Sequence, residues 1–416
     1  AHEGAHRFNF FVVNDAAINA FALPGGFIGI NAGLLTATRS ESELAGVLAH
    51  EIAHVTQRHI ARSVQAAGRA NMASAAAILA AVLIGATTGM PADALMGTVT
   101  AAQGLAAQQQ INFTRANEHE ADRVGVGLMA AAGFDPVGMP NFFWTLHQRS
   151  GGAGRNIPDL LRTHPVTTER IAETRDRAAQ IGARSVEDSV GYGLVRERLR
   201  VRTLPAGTNP RELYADAASA DLPSSDARRY GLGLALLAQG DAAAAVPILA
   251  DLRDRHPEVT LYHAGLGQAQ LAAGDLVQSR RTLEEALALF PRNVPVTLRY
   301  AETLLQAGEA RLAHAVLLDL FNNVPPTPDQ ARFIALAASA AGDTADAHSY
   351  MAEYHVMGGE LTMAIDQLRL ALAMPGISEV QRQRFEARRK QREEYWPGGR
   401  RPREVADPAP PGLALR

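Results

Sequence analysis

The sequence predicts a mainly α-helical protein with a small β-sheet near its N-terminus and an all-α repeat solenoid in its second half. Two short apolar runs bounded by turn residues indicate the sheet. Apolar residues at helical spacing indicate amphipathic helices after it. Glycines and prolines that recur every 34 residues indicate the solenoid. A chain of 416 residues is long enough for two or three domains, each with its own core.

The first predicted elements are two strands. Residues 10–13 (Phe-Phe-Val-Val) form a short apolar run, and the turn residues Asn14 and Asp15 follow it. Residues 27–30 (Phe-Ile-Gly-Ile) come directly after a Pro-Gly-Gly breaker and predict the second strand.

A helix is predicted to begin after Ser40, because Ser40 and Glu43 form the pattern of an N-cap with its capping-box glutamate. No proline interrupts the run from there to Gly68, and glycine occurs within it once, at Gly46. Apolar residues recur along the run at helical spacing, namely Leu44, Val47, Leu48, Ile52 and Val55. The sequence therefore predicts one long amphipathic helix.

This helix contains the pentapeptide His50-Glu51-Ile52-Ala53-His54. Histidines four residues apart project from one helix face, so both imidazoles can bind a single metal ion. Glu51 is placed to take a proton from the water that zinc activates in metallopeptidases. The alternative is a chance match among thirteen histidines. His59 lies about 140° around a continuous helix from His54, so we leave His59 out of the metal site.

A third ligand is expected in residues 117–122, Asn-Glu-His-Glu-Ala-Asp, which open another amphipathic stretch. Glu118 and Asp122 are four residues apart and share a helix face. One carboxylate can therefore bind the metal while the other accepts a hydrogen bond from a ligand imidazole. By spacing alone Glu118, His119 and Glu120 compete for the ligand role, and a solvated acidic helix start is an equally good account.

These motifs resemble those of the gluzincin family that includes the HtpX-type and CAAX prenyl-protein peptidases, most closely its periplasmic members with tetratricopeptide repeats. The resemblance extends over residues 14–15, 18–22, 24–26, 49–59, 117–122, 133–136 and 163–165. It implies an α+β gluzincin domain with one zinc ion per chain, held by His50, His54 and Glu118. It also implies that Asp122 orients the ligand histidines.

His164 precedes Pro165, and a lone histidine in that position is most often a turn or helix-start residue. The resemblance implies more, because the matching histidine of the periplasmic members approaches the zinc. It acts there either as a fourth ligand that silences the enzyme or as a donor to the oxyanion. Arg170, six residues on, could support the same charge, but an exposed helix arginine is the simpler interpretation.

Substrate binding is expected beside the zinc helix. In zinc peptidases of this kind an edge strand captures an extended peptide through main-chain hydrogen bonds. We assign that role to Phe27, Ile28 and Gly29 of the second predicted strand. Such a site would recognise unfolded backbone rather than a folded surface.

Residues 72–90 contain no charged side chain and are just numerous enough to span a bilayer. The stretch is rich in alanine, however, and Gly85, Gly89 and Pro91 interrupt or end it. Three interpretations are open: a buried hairpin of the peptidase domain, a surface flap in peripheral contact with lipid, and a true span. We expect carbonate to extract the chain from membranes.

The second half of the chain repeats with a period of 34 residues. A glycine and an acidic residue recur at 240–241, 274–275, 308–309 and 342–343, and proline recurs at 257, 291 and 325. This is the length of a tetratricopeptide helix-turn-helix unit. Such arrays bind peptides or protein partners on a concave face, so this half is predicted to supply recognition.

We therefore expect five segments. Residues 1–182 form the peptidase domain, and 183–226 form a linker, for which a plain connection is the default and the resemblance implies an active-site plug. Residues 227–375 form the repeat domain, 376–396 a capping helix and 397–416 a disordered tail.

Composition narrows the function. A net charge of −3 without a basic stripe argues against nucleic acid, and the absence of cysteine excludes thiol catalysis. Residues 1–4 do not read as a signal peptide, which fits a processed N-terminus as well as a cytosolic one.

The resemblance implies an endopeptidase for misfolded or stalled polypeptides in the periplasm of a Gram-negative bacterium. It further implies partners in the outer-membrane barrel-assembly machinery, reached through the repeats. The rival is a chaperone or scaffold whose protease is latent or vestigial.

Overall fold

The computed structural model describes residues 7–23, 25–66, 68, 114–150, 158–205, 207–215 and 223–394. Residues 72–90 and 397–416 lie outside these ranges, so the expectations for the uncharged stretch and for the tail stay predictions. The described part is mainly helical, as predicted, with one small sheet near the N-terminus. No helix within these ranges is both long and apolar enough to cross a membrane.

The sheet has three strands, β1 (Asn9–Val13), β2 (Ala20–Leu23) and β3 (Phe27–Asn31), in the order β1-β3-β2. β3 pairs in parallel with β1 and antiparallel with β2. Strands β1 and β3 match the two predicted runs. The expectation that β3 is an edge strand is wrong, because β1 and β2 occupy its two hydrogen-bonding sides.

Helix α1 (Ala32–Ala37) leads from β3 into α2 (Glu41–Thr56), the helix of the histidine pair. Ser40 caps α2 as predicted, since its hydroxyl accepts a hydrogen bond from the Glu43 amide at 3.2 Å. The Glu43 carboxylate accepts from the Arg39 amide rather than from that of Ser40, one residue earlier than in a capping box. Helix α2 therefore starts where the sequence indicates.

The predicted run to Gly68 is broken, however. Helix α2 ends at Thr56, and Arg58 has a φ of 55°, in the left-handed region. The chain then continues as α3, helical over residues 59–66.

The face of α2 opposite the solvent packs against α5 (Gly138–Ser150) and the sheet. Two buried clusters form there around Val47, Phe142 and Leu146, and around Ala49, Met139 and Phe143. Such packing holds the histidine pair on a rigid element.

Helix α4, helical over residues 114–131, approaches the backbone of α2 at one glycine. A Cβ atom on Gly125 would lie 3.2 Å from the backbone nitrogen of His50 and 2.8 Å from the Met139 methyl group. Gly125 therefore allows α4 to lie close enough to α2 for Glu118 and Asp122 to reach the histidines.

Three further helices complete this unit, namely α6 (Asp159–Thr163), α7 (Thr168–Ile181) and α8 (Val190–Arg202). α8 lies within the expected linker but packs on α1, where the Tyr192 and Thr38 hydroxyls are 2.9 Å apart. The Ser189 amide also donates to the Glu41 carboxylate at 2.7 Å. The beginning of that segment is thus an ordered part of the first unit, which comprises residues 1–209 and 219–231.

The second unit comprises residues 210–218 and 232–416. Its described helices are α9 (Pro210–Leu213), the end of α10 (Pro223–Ala238), α11 (Ala242–Arg255), α12 (Thr260–Ala272), α13 (Leu276–Leu289), α14 (Val294–Gln306), α15 (Ala310–Asn323), α16 (Pro328–Ala340), α17 (Thr344–Met357), α18 (Leu361–Ala373) and α19 (Glu379–Glu394). From α11 to α19 each helix packs against the next one in the chain, as the helices of tetratricopeptide units do.

The periodic glycine and acidic residue have separate tasks in these hairpins. Gly274 has a φ of 82°, a left-handed conformation that ends α12. The Asp275 carboxylate then caps α13 by accepting a hydrogen bond from the Gln278 amide at 3.0 Å. Asp241 and Asp343 cap α11 and α17 in the same way.

Helix α19 covers the last hairpin. Phe385 is fully buried against α17 and α18, and Arg388 donates to the Ser349 hydroxyl at 2.9 Å. Arg384 and Arg392 pair with Asp346 and Glu353. These contacts support the predicted role of a cap.

Candidate metal centre

Four side chains from three elements converge in the first unit. His50 and His54 come from α2, Glu118 from α4 and His164 from the end of α6, and one ligand atom of each lies within 4.8 Å of all the others. His50 and Glu118 are buried, while the side chains of His54 and His164 are 11% and 16% exposed. The helix packing described above thus brings together residues that are up to 114 positions apart.

Two of the distances between these atoms match those in a tetrahedral zinc site, and the distance between the two imidazole nitrogens is shorter. His50 Nε2 lies 3.0 Å from His54 Nε2 and 3.4 Å from Glu118 Oε2. His54 Nε2 lies 3.3 Å from Glu118 Oε1. Ligand atoms around a tetrahedral zinc ion with bonds of 2.0–2.2 Å are about 3.3–3.6 Å apart.

Hydrogen bonds at the outer nitrogens fix the two ligand imidazoles. Asp122 Oδ1 lies 2.9 Å from His50 Nδ1, and His59 Nδ1 lies 3.0 Å from His54 Nδ1. The hydrogen on each of these rings therefore belongs on Nδ1, and the lone pair of each Nε2 points to the other and to the Glu118 carboxylate. Lone pairs that converge in this way are stabilised by a cation.

The pKa values of His50 and Glu118 also indicate that this site favours a cation. Burial lowers the pKa of His50, but the Asp122 and Glu118 carboxylates outweigh it and raise that pKa to about 10. Burial raises the pKa of Glu118, yet hydrogen bonds from His164, His50 and His54 hold it well below its usual range. Without a metal the His50 ring thus takes up a second proton, on Nε2 beside Glu118, and a divalent cation would replace that proton.

Arg170 is not the exposed helix residue that we expected. It is 2% exposed, and it donates to Asp122 from Nε at 2.7 Å and from Nη2 at 2.8 Å. Nη1 lies 2.9 Å from Glu118 Oε2 and donates to the Pro165 carbonyl at 2.7 Å. One guanidinium therefore holds two carboxylates of the centre and the loop that follows His164.

Glu51 lies beside the cluster, next to His164. Its side chain is 1% exposed, and Oε1 has no hydrogen-bond partner among the described residues. The same oxygen is 3.6 Å from His164 Nε2. A buried carboxylate with a free oxygen beside a metal site is suited to accept a proton from water.

His164 contacts Glu118 and His50 through Nδ1, whereas its Nε2 faces Glu51. Nδ1 lies 3.0 Å from Glu118 Oε1 and 3.3 Å from His50 Nε2, the spacing of a fourth ligand. The His164 amide donates to the Leu160 carbonyl at 2.8 Å, which closes α6 and fixes the start of the loop. In this arrangement His164 would occupy the position that a catalytic zinc site leaves open.

The three residues assigned to the substrate do not form a binding edge. Ile28 is fully buried, and Gly29 lies under the Phe21 ring, whose nearest atom would be 2.4 Å from an added Cβ. Both hydrogen-bonding sides of β3 are used within the sheet, so Phe27, Ile28 and Gly29 offer no main-chain groups to a peptide. Of the two edge strands, β2 lies beside α2.

His59 and Arg170 are the neighbours of the centre that spacing did not reveal. The 140° separation of His59 assumed a continuous helix, but the left-handed Arg58 turns the chain and returns the His59 ring to His54. The signal for Arg170 was indirect, since two buried carboxylates at Glu118 and Asp122 require a buried cation nearby.

Comparisons with known proteins agree with this architecture. A family model described as Peptidase family M48 matches residues 1–178, and a tetratricopeptide repeat model matches residues 270–339. The chain is 32% identical over 390 residues to the putative beta-barrel assembly-enhancing protease of Vibrio cholerae, covering 92% of this chain and 78% of that protein.

Two further relatives extend the comparison. The beta-barrel assembly-enhancing protease of Escherichia coli is 30% identical over 385 residues, covering 92% of this chain and 77% of that protein. The mitochondrial metalloendopeptidase OMA1 of Arabidopsis thaliana is 36% identical over 159 residues, covering 38% of this chain and 29% of that protein. The similarity to the two bacterial proteins thus spans both the metal centre and the repeats.

Proposed function

The chain is a metalloendopeptidase that belongs to peptidase family M48, with the beta-barrel assembly-enhancing proteases, and we propose that it uses zinc to cleave misfolded or stalled polypeptides. The observation that carries the proposal is the convergence of His50, His54 and Glu118 at the spacing of zinc ligands, with the buried Glu51 beside them. Two imidazoles and a carboxylate are a common ligand set of catalytic zinc.

Each side chain of the centre has a task in peptide hydrolysis. A bound divalent cation supplies Lewis acidity, which acidifies water and polarises the peptide carbonyl. Glu51 accepts the proton of the attacking water at Oε1 and passes it to the leaving amide nitrogen. Asp122 holds His50 with Nδ1 protonated, and Arg170 keeps Asp122 ionised and holds Glu118 in place.

His164 is proposed to control access. With Nδ1 in the position of a fourth ligand, the His164 ring would exclude water and substrate from the cluster, and the protease would be latent. After a rotation of the ring out of this position, the same imidazole would donate a hydrogen bond to the developing oxyanion. The second candidate function, a scaffold with a silent protease, rests on this same observation.

Substrates and partners follow from the rest of the chain. An extended peptide would pair with an edge of the sheet, and among the described strands β2 is the edge beside α2. The repeats would present the substrate or bind partners in the outer-membrane barrel-assembly machinery, as the names of the relatives suggest. The periplasm of a Gram-negative bacterium is then the compartment of the reaction.

Matched variants separate the two functions. We expect the parent to cleave casein slowly and Glu51→Gln to lose cleavage by at least about 1,000-fold while it retains zinc, because the base is lost but the ligands stay. Glu118→Ala should lose the zinc itself, measured by metal analysis after dialysis. His164→Ala tests whether the protease is only latent. If the parent binds its partner and neither the parent nor His164→Ala shows cleavage that depends on Glu51, the scaffold is favoured.

A further inference from the structure

His54 has a hydrogen-bond partner that is separate from the Asp122–Arg170 network. Its Nε2 faces the metal cluster, and its Nδ1 lies 3.0 Å from Nδ1 of His59. His59 is only 3% exposed, so water does not compete for this contact.

The contact continues outward to the protein surface. His59 Nε2 lies 3.2 Å from Glu120 Oε2, which accepts a hydrogen bond from Arg62 Nη1 at 2.8 Å. The Glu120 side chain is 29% exposed and that of Arg62 is 42% exposed. A single line of contacts therefore runs from the metal cluster through a buried imidazole to a surface ion pair.

Donors and acceptors along this line can be assigned in only one consistent way. The Glu120 carboxylate is an acceptor, so a neutral His59 carries its hydrogen on Nε2 and presents a lone pair at Nδ1. That lone pair accepts the hydrogen on His54 Nδ1, which leaves the lone pair of His54 Nε2 for the metal. The surface ion pair thus selects the ligating tautomer of His54 through His59.

We propose that His59 is a positioning residue for the metal centre, which holds His54 in the orientation and tautomer that bind zinc. The inference rests on the proposed function, because it assigns His54 as a zinc ligand. His59 would do for His54 what Asp122 does for His50, with a neutral ring in place of a carboxylate. Partners of metal-bound histidines typically affect metal affinity 10- to 100-fold.

The fold supplies His59 through the break between α2 and α3. Arg58, with its φ of 55°, ends the turn that follows α2, and the next residue places its ring against His54. Glu120 comes from α4, two residues after the ligand Glu118. Helix α4 therefore provides both the ligand Glu118 and the residue that orients His54 through His59.

The test measures zinc affinity of the intact chain by competition with a chromogenic chelator. His59→Leu fills the site without an acceptor and should weaken zinc binding about 10- to 100-fold. His59→Asn keeps an acceptor oxygen near the position of Nδ1 and should stay within about threefold of the parent. Equal losses in both variants would mean that the ring acts by packing, which would overturn the inference.

Surface variants give a second measurement that does not threaten the core. Glu120→Ala removes the acceptor of His59 and should weaken zinc binding less than His59→Leu does. His119→Ala, next to it, removes a ring that hydrogen-bonds Glu173 instead and should leave zinc affinity unchanged. If His59→Leu does not fold, unchanged zinc affinity in Glu120→Ala overturns the inference.

Failure of the inference can be told apart from failure of the proposed function. Loss of zinc in Glu118→Ala together with parental affinity in His59→Leu would refute the role of His59 and leave the zinc peptidase standing. A parent chain that binds no zinc would refute both.

Discussion

Replacement of Arg170 by methionine should destabilise the metal-free first unit by about 3–5 kcal/mol, the usual cost of breaking a buried charge pair from one side. Methionine fills much of the same space, so the loss is chiefly electrostatic. The guanidinium bonds Asp122 through two nitrogens, contacts Glu118 at 2.9 Å and donates to the Pro165 carbonyl. Its removal leaves two buried carboxylates with only imidazoles as partners.

The assay is urea unfolding followed by tryptophan fluorescence. The chain has two tryptophans, and Trp144 lies on α5 in the first unit. Trp396→Phe in every variant leaves Trp144 as the sole reporter of that unit. At a slope of about 2 kcal/mol per molar urea, a loss of about 4 kcal/mol moves the midpoint down by about 2 M.

Two controls isolate the buried network. Arg177 lies on the same helix, is 40% exposed and forms only a 3.9 Å ion pair with Glu173. Arg177→Met should therefore cost less than about 1 kcal/mol. Arg170→Lys keeps the charge but loses the bidentate contact, so its midpoint should lie between those of the parent and Arg170→Met. A midpoint of Arg170→Met within about 0.5 M of the parent would refute the reasoning.

Three further predictions concern helix spacing, pH and the linker. Gly125→Ala should weaken zinc binding, because its methyl group would press on α2 at His50; Gly127→Ala on the same helix, with open space around it, should raise stability by about 0.5–1 kcal/mol. The metal-free protein should lose stability as pH rises from about 7 to 10, because folded His50 keeps its proton to a pKa of about 10 whereas the unfolded chain releases it near 6.5. Urea midpoints should then fall with pH without zinc and stay flat over this interval with it. Deletion of residues 203–210 should raise casein cleavage if this segment plugs the cleft, and unchanged cleavage would count against a plug.

Local features of the fold were predictable because they depend on neighbouring residues. Ser40 predicts the start of α2. Gly274 indicates the end of one helix, and Asp275 indicates the start of the next. Sheet order was not predictable, since the insertion of β3 between β1 and β2 depends on pairing between separate segments.

The metal centre shows the same division. The spacing of His50 and His54 predicts a shared face, but it cannot choose among Glu118, His119 and Glu120. In the structure only the first of these faces the histidine pair, while His119 bonds Glu173 and Glu120 bonds His59. That choice depends on the rotation of α4 against α2, which the family resemblance supplied and spacing did not.

Arg170 was misjudged for a related reason. Helix α7 is polar along most of its length, and sequence alone does not distinguish its one inward-facing arginine from those in solvent. Helix α8 was not predicted within the expected linker, because a helix that buries few side chains has a weak apolar period. Its buried side chains are those of Tyr192, Leu194 and Glu197.

Gly240, Gly274 and Gly342 of the solenoid are each followed by an aspartate that caps the next helix, so these turns are closed by residues from their own stretch of chain. The number of copies, rather than any distant contact, then sets how long the array can be. Excision or duplication of one 34-residue copy would keep the junctions on either side unchanged. Evolution can in this way lengthen or shorten the recognition surface while the catalytic chemistry stays the same.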